Sequence, residues 1–269
     1  MIEFDSFCYL QNQKTGCTYV ETLIRQCSTD DIVRYEKHAP LTRYQAHKFY
    51  FVNVRDPLDT YLSLFNYGLD GKGEIYIKLT QAGFGDLYAQ GIAGFEDWLD
   101  FMLTPEKSSK METAFAQKDP ALTHPALGLM SFRFMRLACL GFDQAAASLL
   151  DQAQVEAYFS QHFKMDAVIK NEEMATALLD LVTGPLKHAF RSQEKTVAWL
   201  NQPQRINASV RRDKADRAKN ESASKPNTSS VSSESKQAIN AALQEKLAAR
   251  EWLLYQKYYP DTNVLSSQF

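Results

Sequence analysis

Short apolar runs alternate with longer stretches of helical period along the chain. Phe7, Cys8, Tyr9 and Leu10 form an apolar run that predicts a buried strand over residues 6–10. Val20, Leu23, Ile24 and Cys27 follow at i, i+3, i+4 and i+7, the spacing of one helix face. The second run, "KFYFVNVRDP" at 48–57, is rich in aromatic and β-branched residues and stops at Asp56-Pro57. Pro57 suits the first position of a helix, where its missing N–H removes no bond, and Gly68 suits that helix's end. Tyr61, Leu62 and Phe65 mark the apolar side of this helix. Further helices are predicted near 94–103, 127–138, 143–150 and 152–161. Met165 to Lys170 reads as a third buried strand, and "EEMATALLDLV" as a helix with Met174, Leu178 and Leu181 on one face. Ile239, Leu243, Leu247 and Leu254 predict a closing helix that ends before "YYPD".

Two stretches break this pattern. Residues 69–93 collect Gly71, Gly73, Gly83, Gly85 and Gly91, which predicts a flexible, irregular insertion over a site. Residues 203–236 mix Arg205, Arg211, Arg212, Lys214, Arg217, Lys219, Lys225 and Lys236 with Ser, Thr and Asn, the composition of a basic mobile loop. No internal repeat is visible. Strands alternating with helices predict an α/β fold: three layers, α/β/α, around a central parallel sheet, in one domain over 1–269.

Composition narrows the classes. The net charge of -2 over 269 residues gives no global field for nucleic acid, so any basic site is local. The longest apolar runs fall well short of the roughly 20 residues of a membrane helix. "MIEFDSF" has neither the basic nor the apolar segment of a signal peptide. Cys8, Cys17, Cys27 and Cys139 show no metal-type spacing and are expected as reduced thiols in the cytoplasm.

Candidate chemistry starts where the first strand meets the first helix. Lys14, Thr15, Gly16 and Thr18 crowd one short turn. The first N–H groups of a helix lack partners and sit at the positive end of its dipole, so such a turn can hold a phosphate. Gly16 lets the backbone close on it, the threonines offer hydroxyls and Lys14 offers a charge. A helix start beside a solvated lysine is the other reading of the same residues. The G-x-x-x-x-G-K-[ST] loop is absent, since Lys14 precedes Gly16, which argues against an ordinary ATPase or GTPase. A second feature, "VNVRDPLDTYLSLF", puts Arg55 at the end of the second strand and Ser63 in the following helix. An arginine fork and a hydroxyl suit a terminal phosphate at the carboxyl edge of an open sheet.

Together the two features resemble the sulfotransferases that use 3'-phosphoadenylyl sulfate. "QKTGCT", Gln13 to Thr18, is similar to the family's 5'-phosphosulfate loop, with Gln13 where proline is usual. Arg55 to Ser63 is similar to its 3'-phosphate motif R-D-P-x-x-x-x-x-S. "DAVIKNEEMATALLDL", "RINASVRR" and "LLYQKYYP" resemble later parts of the family. The G-C-T of the loop is nearest to the carbohydrate sulfotransferases. The resemblance implies a P-loop NTPase-like sulfotransferase fold and in-line transfer of a sulfuryl group to a hydroxyl acceptor, with a carbohydrate expected. Lys14 would meet the bridging oxygen and the 5'-phosphate, with Thr15, Gly16, Cys17, Thr18 and Tyr19 around it. Arg55 and Ser63 would hold the 3'-phosphate, and Arg211 and Arg212 of the basic loop would close over it. The donor is a co-substrate, and no metal is implied.

An acceptor hydroxyl needs a base, and histidine suits neutral pH. Of His38, His47, His124, His162 and His188, His38 in "EKHAPLTRY" leads, with His124 and the carboxylate of Glu36 as alternatives. Two other functions remain open on these residues: a nucleotide kinase-like phosphotransferase on a P-loop scaffold, and a non-catalytic nucleotide-binding protein. The acceptor's identity and the oligomeric state are not encoded in any motif.

Overall fold

The computed structural model describes residues 1–115, 120–190, 193–201 and 239–262. Its sheet has five strands: β1 (Ile2–Glu3), β2 (Phe7–Leu10), β3 (Arg34–Tyr35), β4 (Phe49–Val54) and β5 (Ala167–Lys170). Their order is β3-β1-β2-β4-β5. The three strands expected from the apolar runs, β2, β4 and β5, pair in parallel, Leu10 opposite Val52 and Val54 opposite Lys170. The sheet as a whole is mixed rather than parallel, because β1 runs antiparallel to both β2 and β3. Only Phe4, Asp5 and Ser6 separate β1 from β2, and a turn that short can join only antiparallel neighbours. Two-residue strands such as β1 and β3 carry too little pattern to be read from sequence.

The pleat sends alternate side chains to two cores. Phe7 and Tyr9 join Phe51 and Ile169 on one face, while Cys8, Leu10, Tyr50, Val52 and Val54 join the larger cluster on the other. Helices cover both. On the first face lie α1 (Cys17–Cys27), which buries Val20, Leu23, Ile24 and Cys27, and, later in the chain, the helices Met174–Thr183 and Gln193–Leu200. On the second lie α2 (Pro57–Leu69), α3 (Glu74–Gln81) and α4 (Phe95–Leu103), with α5 (Pro105–Phe115) packed on α3 and α4, then α6 (Leu129–Ala138), α7 (Phe142–Ala145) and α8 (Gln152–His162). Continuing the numbering, α9 is Met174–Thr183, α10 is Gln193–Leu200, α11 is Ala241–Arg250 and α12 is Trp252–Tyr258. No helix among the described residues is long and apolar enough to cross a membrane.

Helix starts follow local chemistry. The Asp56 carboxylate accepts the N–H of Asp59 at 3.1 Å and Pro57 opens α2, as its sequence implies. Asp151 and Asn240 cap α8 and α11 in the same way. The 69–93 segment is more regular than its glycines suggest: α3 buries Ile75 and Leu79, and short 3-10 turns at 85–88 and 91–94 bury Tyr88. The expected closing helix is two helices broken at Glu251. Its fully buried carboxylate accepts from the Tyr61 hydroxyl (2.7 Å), the Met130 and Ser131 N–H groups (3.1 and 2.8 Å) and the Ser131 hydroxyl (2.7 Å). It thereby caps α6 from across the core.

Candidate functional site

The turn after β2 is built around backbone shape. Lys14 has φ 63° and Gly16 has φ 83°, so two left-handed residues fold the chain back before α1. At Gly16 only hydrogen fits. A Cβ there would sit 2.5 Å from Cε of Met174 and 2.8 Å from Oδ1 of Asn171, both just past β5. No side chain caps α1, and its first turn carries no acid. Helix geometry leaves the N–H groups of Cys17 and Thr18 without intrahelical acceptors, which makes this end a place for an anion.

The side chains of the turn divide inward and outward. Thr15 is buried and its hydroxyl donates to the Asn12 carbonyl at 3.0 Å, so it braces the turn instead of offering a proton to a ligand. Cys17 is buried in the α1 core, where burial pushes its thiol above the ordinary range, so only its backbone faces the turn. Thr18 is half-buried. Tyr19 packs against Trp199 of α10 with ring centroids 5.0 Å apart. Lys14 is half-buried, with Nζ 4.2 Å from the ring centroid of Tyr67. Burial, then the nearby Arg55 cation, holds its pKa below the ordinary lysine value.

Two buried amides stitch this turn to β4. Asn12 Nδ2 donates to the Asn53 carbonyl at 3.2 Å, and Asn53 Nδ2 donates to the Thr15 carbonyl at 3.4 Å. Asn53 is fully buried, and its Oδ1 has no partner within the described residues. Just beyond, Arg55 Nη1 donates to the Lys14 carbonyl at 3.4 Å, while its buried Nε has no partner among the described residues. The two motifs that lie forty residues apart in sequence thus meet at one carboxyl edge. Ser63 is half-buried two turns into α2. Glu172, past β5, accepts the Asp56 N–H (3.2 Å) and the Tyr259 hydroxyl (3.0 Å), which ties the C-terminal segment to the start of α2.

His38 reaches the same edge. Its Nδ1 lies 2.7 Å from the carbonyl of Gln11, three residues before Lys14. A carbonyl only accepts, so Nδ1 carries the proton and Nε2 is left with the lone pair. Burial, ahead of the Gln11 bond that opposes it, lowers the ring's pKa, so the neutral form is favoured. Its φ is 61°; among the described residues, Lys14 and His38 are the non-glycine residues with positive φ.

The other histidines are placed differently. His124 is buried with both nitrogens engaged, Nε2 at 3.1 Å from the Ala146 carbonyl and Nδ1 accepting the Ala126 N–H at 3.2 Å, so it has a structural role. His47 is exposed just before β4, at the opposite edge of the sheet, beside a cleft of about 540 Å³ that Glu3, Asp5, Arg43 and Lys48 also line. His162 stacks on Tyr158 and His188 lies past the end of α9. Glu36 is exposed and pairs with Arg34 at 2.6 Å. Arg211, Arg212 and the whole 203–236 stretch lie outside the described residues.

Sequence reasoning missed Asn12, Asn53 and Tyr67. Asn53 had a signal, a lone amide inside the apolar run of β4. Tyr67 had a weaker one, its place four residues after Ser63 on one helix. Among the described residues, no three His, Cys, Asp or Glu side chains form a metal-binding group. Comparison with protein-family models, with curated proteins and with solved structures returns no match for this chain.

Proposed function

We propose that the protein is a sulfotransferase that moves a sulfuryl group from 3'-phosphoadenylyl sulfate to a hydroxyl acceptor, on a P-loop-like sulfotransferase fold. One observation carries the reading. The two residues assigned to the chemistry, Lys14 and His38, are the non-glycine positions held at positive φ among the described residues, and both attach to one turn at one sheet edge. Strain of that kind costs on the order of 1–3 kcal/mol per residue and collects at functional sites.

The proposed roles follow from the chemistry of each group. The Cys17 and Thr18 N–H groups and Lys14 take the 5'-phosphate, while Arg55 and Ser63 take the 3'-phosphate. Arg55 Nη1 donates to the Lys14 carbonyl, so a phosphate held by the other terminal nitrogen of its fork would sit at a fixed spacing from the turn. His38 Nε2 takes the acceptor's proton as the acceptor oxygen bonds to sulfur. The sulfur–oxygen bond to the phosphate breaks, and Lys14 balances the charge that grows on that oxygen. The products are the sulfate ester and adenosine 3',5'-bisphosphate. Tyr19 and Trp199 lie beside the turn, where an adenine ring would have aromatic surface to pack on. A carbohydrate acceptor is the reading favoured by the G-C-T turn, and four buried free thiols suit a cytoplasmic setting.

Thermal shift tests the reading. A ligand at about 100 Kd adds roughly 2.7 kcal/mol of stability. Adenosine 3',5'-bisphosphate should raise Tm well above the effect of 5'-AMP or ATP, and Arg55→Ala should erase most of the difference. Equal shifts for the bisphosphate and AMP reject the sulfotransferase reading; a preference for ATP transfers it to the kinase-like alternative.

A further inference from the structure

Lys14 makes a contact that the donor motifs do not account for. Among the described residues its ammonium forms no ion pair; the Asp70 carboxylate acts on it only as a weaker, more distant charge, and it lies over the ring of Tyr67. Tyr67 belongs to α2, four residues after Ser63, so the two side chains share one helix face a turn apart. The ring is held from behind. Gly73 has φ 93°, and a Cβ at that position would lie 2.7 Å from Cδ1 of Tyr67 and 3.1 Å from Cε1. The connecting loop is closed by Lys72 N–H to the Tyr67 carbonyl at 3.1 Å and Gly71 N–H to the Gly68 carbonyl at 2.8 Å. Glycine at 73 is therefore what lets the loop come flat against the ring.

We infer that Tyr67 is a positioning residue for Lys14: its ring face, backed by the Gly71–Gly73 loop, holds the ammonium at the mouth of the turn. An ammonium within about 6 Å of an aromatic face is attracted by the ring quadrupole without being neutralised. A carboxylate in that place would pair with the charge and compete with a phosphate for it. The ring orients Lys14 and leaves its full charge for an incoming anion. Because Ser63 and Tyr67 ride on one rigid turn of α2, a group seated at Ser63 fixes the height of the ring beneath Lys14. The inference rests on the reading of Lys14 as the donor-facing residue, but the contact itself can be tested without that reading.

The test uses the full chain with its lysines reductively methylated with ¹³C. The Lys14 resonance is identified by its loss in Lys14→Arg. A methyl group over a ring is shielded, so this resonance should stand apart from those of exposed lysines. Tyr67→Leu should move it among them, and Tyr67→Phe should leave it displaced. In turnover assays with 3'-phosphoadenylyl sulfate, Tyr67→Leu should lower kcat by roughly tenfold, the scale of a partly desolvated cation–π contact, with binding of adenosine 3',5'-bisphosphate weakened by no more than that factor and activity restored by Phe. An undisplaced Lys14 resonance, or one indifferent to Tyr67→Leu, overturns the inference, as does a Tyr67→Phe protein no better than Tyr67→Leu. Failure of the wild-type protein to bind the bisphosphate rejects the sulfotransferase reading instead, and the resonance still decides the contact.

Discussion

Lys14 and His38 are each held where most side chains are uncomfortable. A left-handed backbone brings Cβ too close to the following carbonyl oxygen, at a cost on the order of 1–2 kcal/mol per residue. Glycine escapes this cost. Lys14→Gly should therefore lower kcat by roughly 10²–10³, the loss expected for one positioned charge stabiliser, without lowering Tm. Kinetics and calorimetry on the same variant check both halves: a less stable Lys14→Gly protein would show that the lysine itself supports the turn, and a fully active one that the chemistry needs no lysine there. His38→Ala should cut turnover by about 10²-fold or more with nucleotide affinity intact, since its Nε2 is the free lone pair of the site. Isothermal titration with the bisphosphate separates the two effects. A lysine before a glycine and a histidine before Ala39-Pro40 are visible in the sequence. That both take positive φ is not, because φ is set by how the flanking segments are anchored, here by Gln11, Asn12 and Asn53.

At the scale of elements, the turn is fixed by two strands and a helix. β2 delivers it, β4 ties it down through Asn53 and Arg55, and the start of α9 presses against Gly16. Gly16→Ala meets two penalties together, a left-handed φ and a Cβ 2.5 Å from Met174. It should destabilise the fold by roughly 1–3 kcal/mol in urea unfolding and weaken bisphosphate binding more than Ser63→Ala does. A neutral Gly16→Ala would mean that α9 is free to move away from the turn. The periodicity of α1, α2 and α9 and the runs of β2, β4 and β5 were legible because their patterns are long and their caps local. The helix α3 was hidden by flanking glycines. The break between α11 and α12 was hidden because Glu251 reads as a surface residue of a helix. It is buried only because the donors of Tyr61, Met130 and Ser131 converge on it from other elements.

For the molecule as a whole, acid should be the first stress to matter. Burial lowers the pKa of both His38 and His124 in the folded chain. An unfolded histidine titrates near 6.5, so below that pH the unfolded state binds more protons than the folded one. The stability these rings contribute is complete above about pH 6.5 and is lost as pH falls through their lower folded values. Glu21 and Asp100 follow at lower pH. Hydrogen bonds and ion pairs, with Arg25 for Glu21 and with Lys107 and Lys246 for Asp100, outweigh burial and lower their pKa values. Their share is present above the unfolded carboxylate pKa of about 4 and is lost as pH falls through their folded values. Tm measured from pH 8 to pH 5 should fall below about 6.5, and His124→Gln should flatten that fall. A Tm that is level across this range would place both rings in water.

What the sequence alone determined is the alternation of strands and helices, the loop chemistry at the ends of β2 and β4, and the candidate residues Lys14, Arg55, Ser63 and His38. These are local properties: apolar period, capping, and residue types packed within a few positions. The tertiary structure decided what depends on distance across the chain. It joined the Lys14 and Arg55 motifs through a backbone carbonyl, and it fixed the tautomer of His38 through Gln11. It also spent the Thr15 hydroxyl and both nitrogens of His124 on the fold, and set Tyr67 beneath Lys14. Hydrogen-bond partners and burial belong to pairs of residues that only the folded chain brings together, and so no pattern along one segment could have specified them.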